Sequence, residues 1–303
     1  MSYEQFVREI TELVGELVGE RVHLSQQRAI KNNGYERIGI TFSEPGLLLS
    51  PSIYLEEYYE KYGREEQSGE TLRQIAKQVA DLYCHVRRED PWNGKQMLHY
   101  EEIRDRIIYK LVNRDRNHNL LSEVPYREYQ DLAILYYVLA DIDLPGESMA
   151  VMLIRKEHMD LWNVGEEELY RRAVNNTERH LPYEFSAMYA VIRDMLEDPR
   201  EEVPDDILAE EHMYVLTNRF RNCGASAMLY QNRLEQIGMY FGENYYIIPS
   251  SIHELILMPE SRALARADMD AIVGEVNESH VKAEEYLSDH VYYYDRAKGE
   301  LCW

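Results

Sequence analysis

The sequence predicts an α+β protein of mixed helices and short antiparallel or mixed sheets. Two observations predict it. Apolar residues recur at three- and four-residue steps in some segments and in short strand-like runs in others. The two kinds of segment are interleaved along all 303 residues, with no internal repeat and no low-complexity tract.

The first segment is an amphipathic helix, with Tyr3, Phe6, Ile10, Leu13, Val14, Leu17 and Val18 on one face and Ser2 as N-cap. A hairpin follows: strand-like Arg21 to Ile30, a turn at Asn33-Gly34, and a second strand from Tyr35 to Phe42. Pro45-Gly46 and Pro51 punctuate its exit. Ile53 to Tyr62 and Thr71 to Val86 read as helices, and Pro91 and Gly94 mark a linker. Ile107 to Val112 is short, apolar and ambiguous. Leu132 to Leu139 and Met149 to Ile154 read as buried strands around Pro145-Gly146. Glu166 to Asn175 is expected as a helix, and Ser186 to Met195 reads as helix or strand, with helix favoured. Beyond residue 206 the pattern is βαββαβ: Met213 to Thr217, Ala225 to Phe241, Tyr245 to Ile248, Leu255 to Met258, Arg266 to Val276 and His290 to Tyr294. A ferredoxin-like split βαβ motif has this order, as do many unrelated α+β folds.

The clearest break is EDPREEVPDD at 197–206, where two prolines and six carboxylates cannot build a core element. It is expected as an acidic linker or exposed loop between an N-terminal α+β region, 1–196, and a C-terminal one, 207–303.

Charge narrows the function. The net charge is −22, and no part reverses it: residues 1–196 hold 24 basic and 34 acidic groups, 197–206 one and six, 207–303 eight and fifteen. Gripping nucleic acid through its phosphates, or docking on an anionic leaflet, needs the opposite balance. The N-terminus lacks the basic start and apolar core of a signal peptide, and no apolar run reaches the roughly 18 residues of a membrane span. Cys84, Cys223 and Cys302 form no CxxC pair and cannot all pair within one chain, the pattern of a reducing compartment, so the protein is placed in the cytoplasm.

Two strings could carry chemistry. Ser250-Ser251-Ile252-His253-Glu254 lies between two predicted strands and offers a hydroxyl, a base and an acid. On a strand, however, Ser251 and His253 would stand about 6–7 Å apart, and there is no GxSxG elbow. The other reading is a polar turn. His253-Glu254 also begins like a zincin HExxH motif, but Leu257 replaces the second ligand and the segment reads as strand. In Asn222-Cys223-Gly224-Ala225-Ser226, a thiol at a helix start could be activated, with His253 as base. The other reading is a small packed residue at a tight turn. The thiol version requires the sulfur within about 10 Å of the imidazole. No dinucleotide, Walker or kinase signature is present, so no cofactor and no metal is expected.

Twenty-five Tyr stand against five Phe. Tyr54, Tyr58, Tyr59 and Tyr62, then Tyr245 and Tyr246, then Tyr292 to Tyr294 fall in stripes at helical or strand spacing. Such half-polar seams suit either internal packing or protein–protein contact.

The strings SPSIYLEEYYEKYGRE, VPYREYQDLAILYYV, RAVNNTERHLP, MYVLTNRFRNCGAS, YIIPSSIHELILMP and LSDHVYYYDR resemble an uncharacterised bacterial family, a domain of unknown function from anaerobic gut bacteria often found near mobile-element genes. The resemblance runs from about residue 30 to 295 and implies no activity. The leading expectation is a cytoplasmic protein that binds another protein, of open oligomeric state, without catalysis. The alternatives are a hydrolase or transferase using Cys223, Ser251, His253 and Glu254, and an acidic mimic of nucleic acid from a mobile element.

Overall fold

A computed structural model gives the structure of residues 1–45, 50–65, 67–89, 95–144, 148–195 and 212–302. The chain adopts the expected α+β class, and it divides into two compact units, residues 1–104 with 140–150, and 105–139 with 151–303. The acidic stretch 197–206 lies outside the described residues. The described residues on either side of it, to 195 and from 212, belong to the same unit.

The first unit begins with α1 (Tyr3–Val18), where Ser2 and Gln5 form a capping box: the Gln5 N–H donates to Ser2 Oγ at 3.3 Å and the Ser2 N–H to Gln5 Oε1 at 3.0 Å. β1 (His23–Ile30) and β2 (Glu36–Ser43) pair antiparallel. Their turn uses left-handed backbone at Asn33 (φ 57°) and Gly34 (φ 73°), which those two residues tolerate best. The segment from Ile53, expected as helix, instead opens with a third strand, β3 (Ser52–Tyr54), before α2 (Glu56–Arg64). The reason is Gly39 on β2, which lacks a Cβ: one built there would stand 2.9 Å from the Ile53 carbonyl oxygen. α3 (Gly69–Glu89) and α4 (Tyr100–Ile103) follow. Phe6, Ile10 and Val14 of α1 pack with Ile40 and Phe42 of β2 and with Ile75 and Val79 of α3 in one core.

In the second unit, β4 (Ile107–Asn113) and β5 (Tyr126–Tyr129) pair with β6 (Leu132–Leu144) in the order β4-β6-β5, and β7 (Ser148–Leu153) also pairs with β6; residues 140–144 of β6 and 148–150 of β7 belong to the first unit. α5 (His118–Glu123) precedes β5, and α6 (Lys156–Trp162) and α7 (Glu166–His180) follow β7. The ambiguous segment 107–112 is therefore a strand, buried along nearly its whole length. Its outer edge is closed by side chains. The Tyr109 N–H donates to Thr177 Oγ1 at 3.1 Å, the Leu111 N–H donates to Ser226 Oγ at 3.2 Å, and Asn176 Nδ2 donates to the Ile107 carbonyl at 3.0 Å. An edge that would otherwise expose unpaired backbone is thus sealed.

The larger sheet is antiparallel throughout, in the order β13-β12-β10-β11-β9-β8. Its strands are β8 (Tyr183–Ala187), β9 (Tyr214–Asn218), β10 (Tyr245–Ile248), β11 (Leu255–Pro259), β12 (Tyr292–Asp295) and β13 (Glu300–Cys302). Successive antiparallel steps make β9 parallel to β10 with β11 between them, and β11 parallel to β12 with β10 between them. Ser186–Met195, read as helix or strand with helix favoured, divides into the end of β8 and α8 (Met188–Met195), because Phe185 and Ala187 pair with Leu216 and Tyr214 of β9. The helix expected over Ala225–Phe241 is broken into a 3-10 turn (Gly224–Leu229) and α9 (Arg233–Phe241). Between them Tyr230 is extended, its hydroxyl donating to the Leu181 carbonyl at 2.6 Å, and Asn232 turns left-handed at φ 58°. α10 (Arg266–Ser279) lies between β11 and β12.

Replacing Thr177 by Val keeps the shape but leaves the buried Tyr109 N–H without an acceptor. Thr177→Val is expected to lower folding stability by about 1–3 kcal/mol in denaturant unfolding, with Thr177→Ser recovering most of the loss.

Candidate functional site

The two chemistry-bearing strings meet. Asn218, the last residue of β9, folds the chain back: its Oδ1 accepts from the N–H groups of Phe220 (3.0 Å) and Asn222 (3.4 Å), and its Nδ2 donates to the Asn222 carbonyl at 2.8 Å. The tight turn forces left-handed backbone at Arg221 (φ 46°) and Cys223 (φ 52°). On the facing turn Ser251 Oγ accepts the His253 N–H at 3.0 Å, and the Ser251 N–H donates to the Glu254 carbonyl at 3.3 Å.

The junction is mostly backbone. The Ala225 N–H donates to the Ile252 carbonyl at 3.2 Å, and Thr217 Oγ1 donates to the His253 carbonyl at 2.7 Å. A Cβ on Gly224 would stand 2.1 Å from Thr217 Oγ1, 2.5 Å from the His253 oxygen and 2.7 Å from the Asn218 nitrogen, so only glycine fits. The Cys223 N–H donates to His253 Nδ1 at 3.2 Å. That bond makes Nδ1 the acceptor and puts the neutral ring's proton on Nε2. Through the intervening covalent bonds, Cys223 Sγ then lies within about 7 Å of the imidazole.

Electrostatics follow from burial. Burial holds the His253 imidazole below its usual value, against Glu285; Lys110 lowers it further, and Glu284 and the Arg221 backbone raise it. Burial raises the Glu254 carboxyl, with Arg221 opposing. Burial also raises the Tyr137 hydroxyl, with a smaller contribution from Cys223, and Lys110 Nζ sits 4.9 Å from the Tyr137 ring centre. Cys223 and His253 are therefore brought together, Glu254 follows His253 in the chain with Arg221 as its charged neighbour, and Ser251 is engaged as a turn-former. The helix start expected at Cys223 is a six-residue 3-10 turn rather than a long helix. His253 and Glu254 precede strand β11, which carries Leu257. Among the described residues no three His, Cys, Asp or Glu side chains gather to hold a metal ion.

A model of a family of unknown function, DUF5688, matches residues 3–296. The chain belongs to that family. No curated protein and no solved structure matches it.

This DUF5688 chain carries a second feature that the sequence reading missed. Phe185 on β8 stacks on Tyr214 of β9, with ring centres 5.2 Å apart, and Tyr240 of α9 meets both edge-on at 5.5 and 5.7 Å. With Ala187 and Tyr189 these rings line an open cleft of about 460 Å³. A hydrogen bond to Tyr240 and then burial push the Tyr214 hydroxyl up. The tyrosine stripes seen in the sequence lie largely elsewhere. Tyr62 is buried and Tyr58 and Tyr59 pack on the first core, while Tyr245, Tyr292 and Tyr294 are buried in the large sheet. Tyr293 reaches the rim, where burial and Glu260 push its hydroxyl up to about 12. The only sequence signal for the cleft was the overall excess of Tyr.

The lowered imidazole predicts a pH effect. Above about pH 6.5 both folded and unfolded states hold a neutral ring and its contribution is intact; as pH falls, the unfolded state takes the proton first and stability is lost. Stability is expected to drop more steeply from pH 7 to 5 in the native protein than in His253→Gln. The difference between the two isolates His253 from Glu254, whose raised carboxyl works in the opposite direction. Parallel curves would contradict the assignment.

Proposed function

We propose that the chain is a binding protein that engages a protein partner through the cleft at Phe185, Tyr189, Tyr214 and Tyr240. One observation carries this reading: the rings are clustered yet left open, with Tyr240 64% and Tyr189 37% exposed. Aromatic side chains of this kind anchor the centres of protein interfaces. β8 is the end strand of its sheet among the described residues, so a partner can approach along an edge. The net charge of −22 disfavours a second copy and an acidic partner, and favours a neutral or basic segment.

Three unpaired cysteines support a reducing cytoplasm as the setting, and no described helix is long and apolar enough to cross a membrane. A bacterial source near mobile-element genes rests on the resemblance of the quoted strings. Carboxylates interleaved with arginines, as where Arg127 meets Glu166 and Glu167, speak against rows of acids that would mimic nucleic acid.

A photo-crosslinking residue at 240 tests the reading inside cells. It is expected to trap a discrete protein adduct that is lost with Tyr189→Glu, while the same residue at exposed Leu17 traps none. Equal labelling at both positions, or none at 240, would sink the proposal.

The meeting of Cys223 with His253 favours a second reading, a thiol-dependent hydrolase or transferase. It predicts that iodoacetamide alkylates Cys223 at least tenfold faster than exposed Cys302 at pH 7, because only the thiolate reacts. A rate no greater than that of Cys302 would remove this reading.

A further inference from the structure

A separate site lies at β5, away from the residues of the tyrosine cleft. Two cavities, of about 440 and 510 Å³, share Tyr126 and Lys156 in their walls. The first is lined by Arg114, His118, Leu121, Ser122 and Glu128 besides those two. The second adds Val124, Pro125, Met159, Asp160 and Glu166. Tyr126 stands between them, 36% exposed.

In the first cavity Arg114, Lys156 and His118 face one lining carboxylate, Glu128. Arg114 makes long contacts, 3.5 Å each, to Asp115 and Glu128, so Glu128 is offset within the cavity. Lys156 Nζ donates to the neutral Ser122 carbonyl at 2.6 Å, and among the described residues no carboxylate pairs with it. An ammonium, a guanidinium and an imidazole therefore line one concavity, while the Ser122 hydroxyl donates to the Asn119 carbonyl at 2.7 Å. In the second cavity, Val124, Pro125, Met159 and the Tyr126 ring supply apolar wall. Of its two carboxylates, Glu166 is already engaged by Arg127 and the Tyr136 hydroxyl, and Asp160 stands at its wall.

We propose that this pair of cavities binds a small ligand with an anionic oxygen group, carboxylate or phosphate, carried on an apolar body. The anion sits among Arg114, His118 and Lys156. The body lies across Tyr126 against Val124 and Met159. Cation plus concavity supplies the orientation, and the apolar wall supplies affinity that a bare anion lacks.

The test is a titration of the full chain, methyl-labelled at methionine, with phenyl phosphate, phenylacetate and inorganic phosphate at low salt. Phenyl phosphate or phenylacetate is expected to shift the Met159 methyl resonance saturably while leaving that of buried Met228 in place. Which of the two does so identifies the anion. Binding is expected to be at least tenfold tighter than for inorganic phosphate, and to weaken about tenfold in Lys156→Gln and in Tyr126→Ala. No shift with either aryl ligand, binding unchanged in Lys156→Gln, or inorganic phosphate binding as tightly as phenyl phosphate would each overturn the proposal.

Discussion

The architecture of the larger unit depends on one close approach, the passage of Gly224 against the backbone of Asn218 and His253. A side chain there would collide with main-chain atoms on both neighbours at 2.5 to 2.7 Å. Because the chain can come this close, the Ala225 N–H reaches Ile252 and the Cys223 N–H reaches the His253 ring. Two residues later Ser226 caps the edge of β4. A single short segment thereby ties β9, the β10–β11 turn and the smaller sheet together, and the left-handed conformation of Cys223 is a consequence of that crossing.

The same crossing gives the junction its ambiguous chemistry. A thiol-bearing residue and an imidazole are brought together, an arrangement that in a cleft would serve catalysis. Yet the imidazole spends its Nδ1 lone pair on a backbone N–H, and Ser251 spends its hydroxyl on the turn. These bonds hold two loops in register. The open aromatic cleft shows the reverse: its rings pack on one another and leave Tyr189 and Tyr240 facing water.

Sequence reasoning was strongest where structure is local. The amphipathic α1 with its Ser2–Gln5 capping box, and the hairpin turned at Asn33-Gly34, are each specified by residues a few positions apart. It failed where a distant partner overrode the local pattern. Ile53 and Tyr54 lie on a strand because Gly39 admits their backbone. The helix over 225–241 breaks because Tyr230 must reach Leu181. Ser186 and Ala187 belong to a strand because β9 lies beside them. None of these partners is near in sequence, so periodicity could not reveal them.

For the sites, residue types were legible and positions were not. The strings around Cys223 and His253 stood out by chemistry, and the excess of Tyr announced half-polar surface. By itself the sequence determined an acidic α+β chain with unpaired cysteines and specific turn residues, since composition, spacing and turn preference are properties of the chain. Only the tertiary structure decided that Cys223 and His253 meet, that most tyrosines of the stripes face inward, and that Phe185, Tyr214 and Tyr240 open a cleft. Those outcomes depend on which distant backbones can approach and pair, a condition that packing imposes and spacing does not encode.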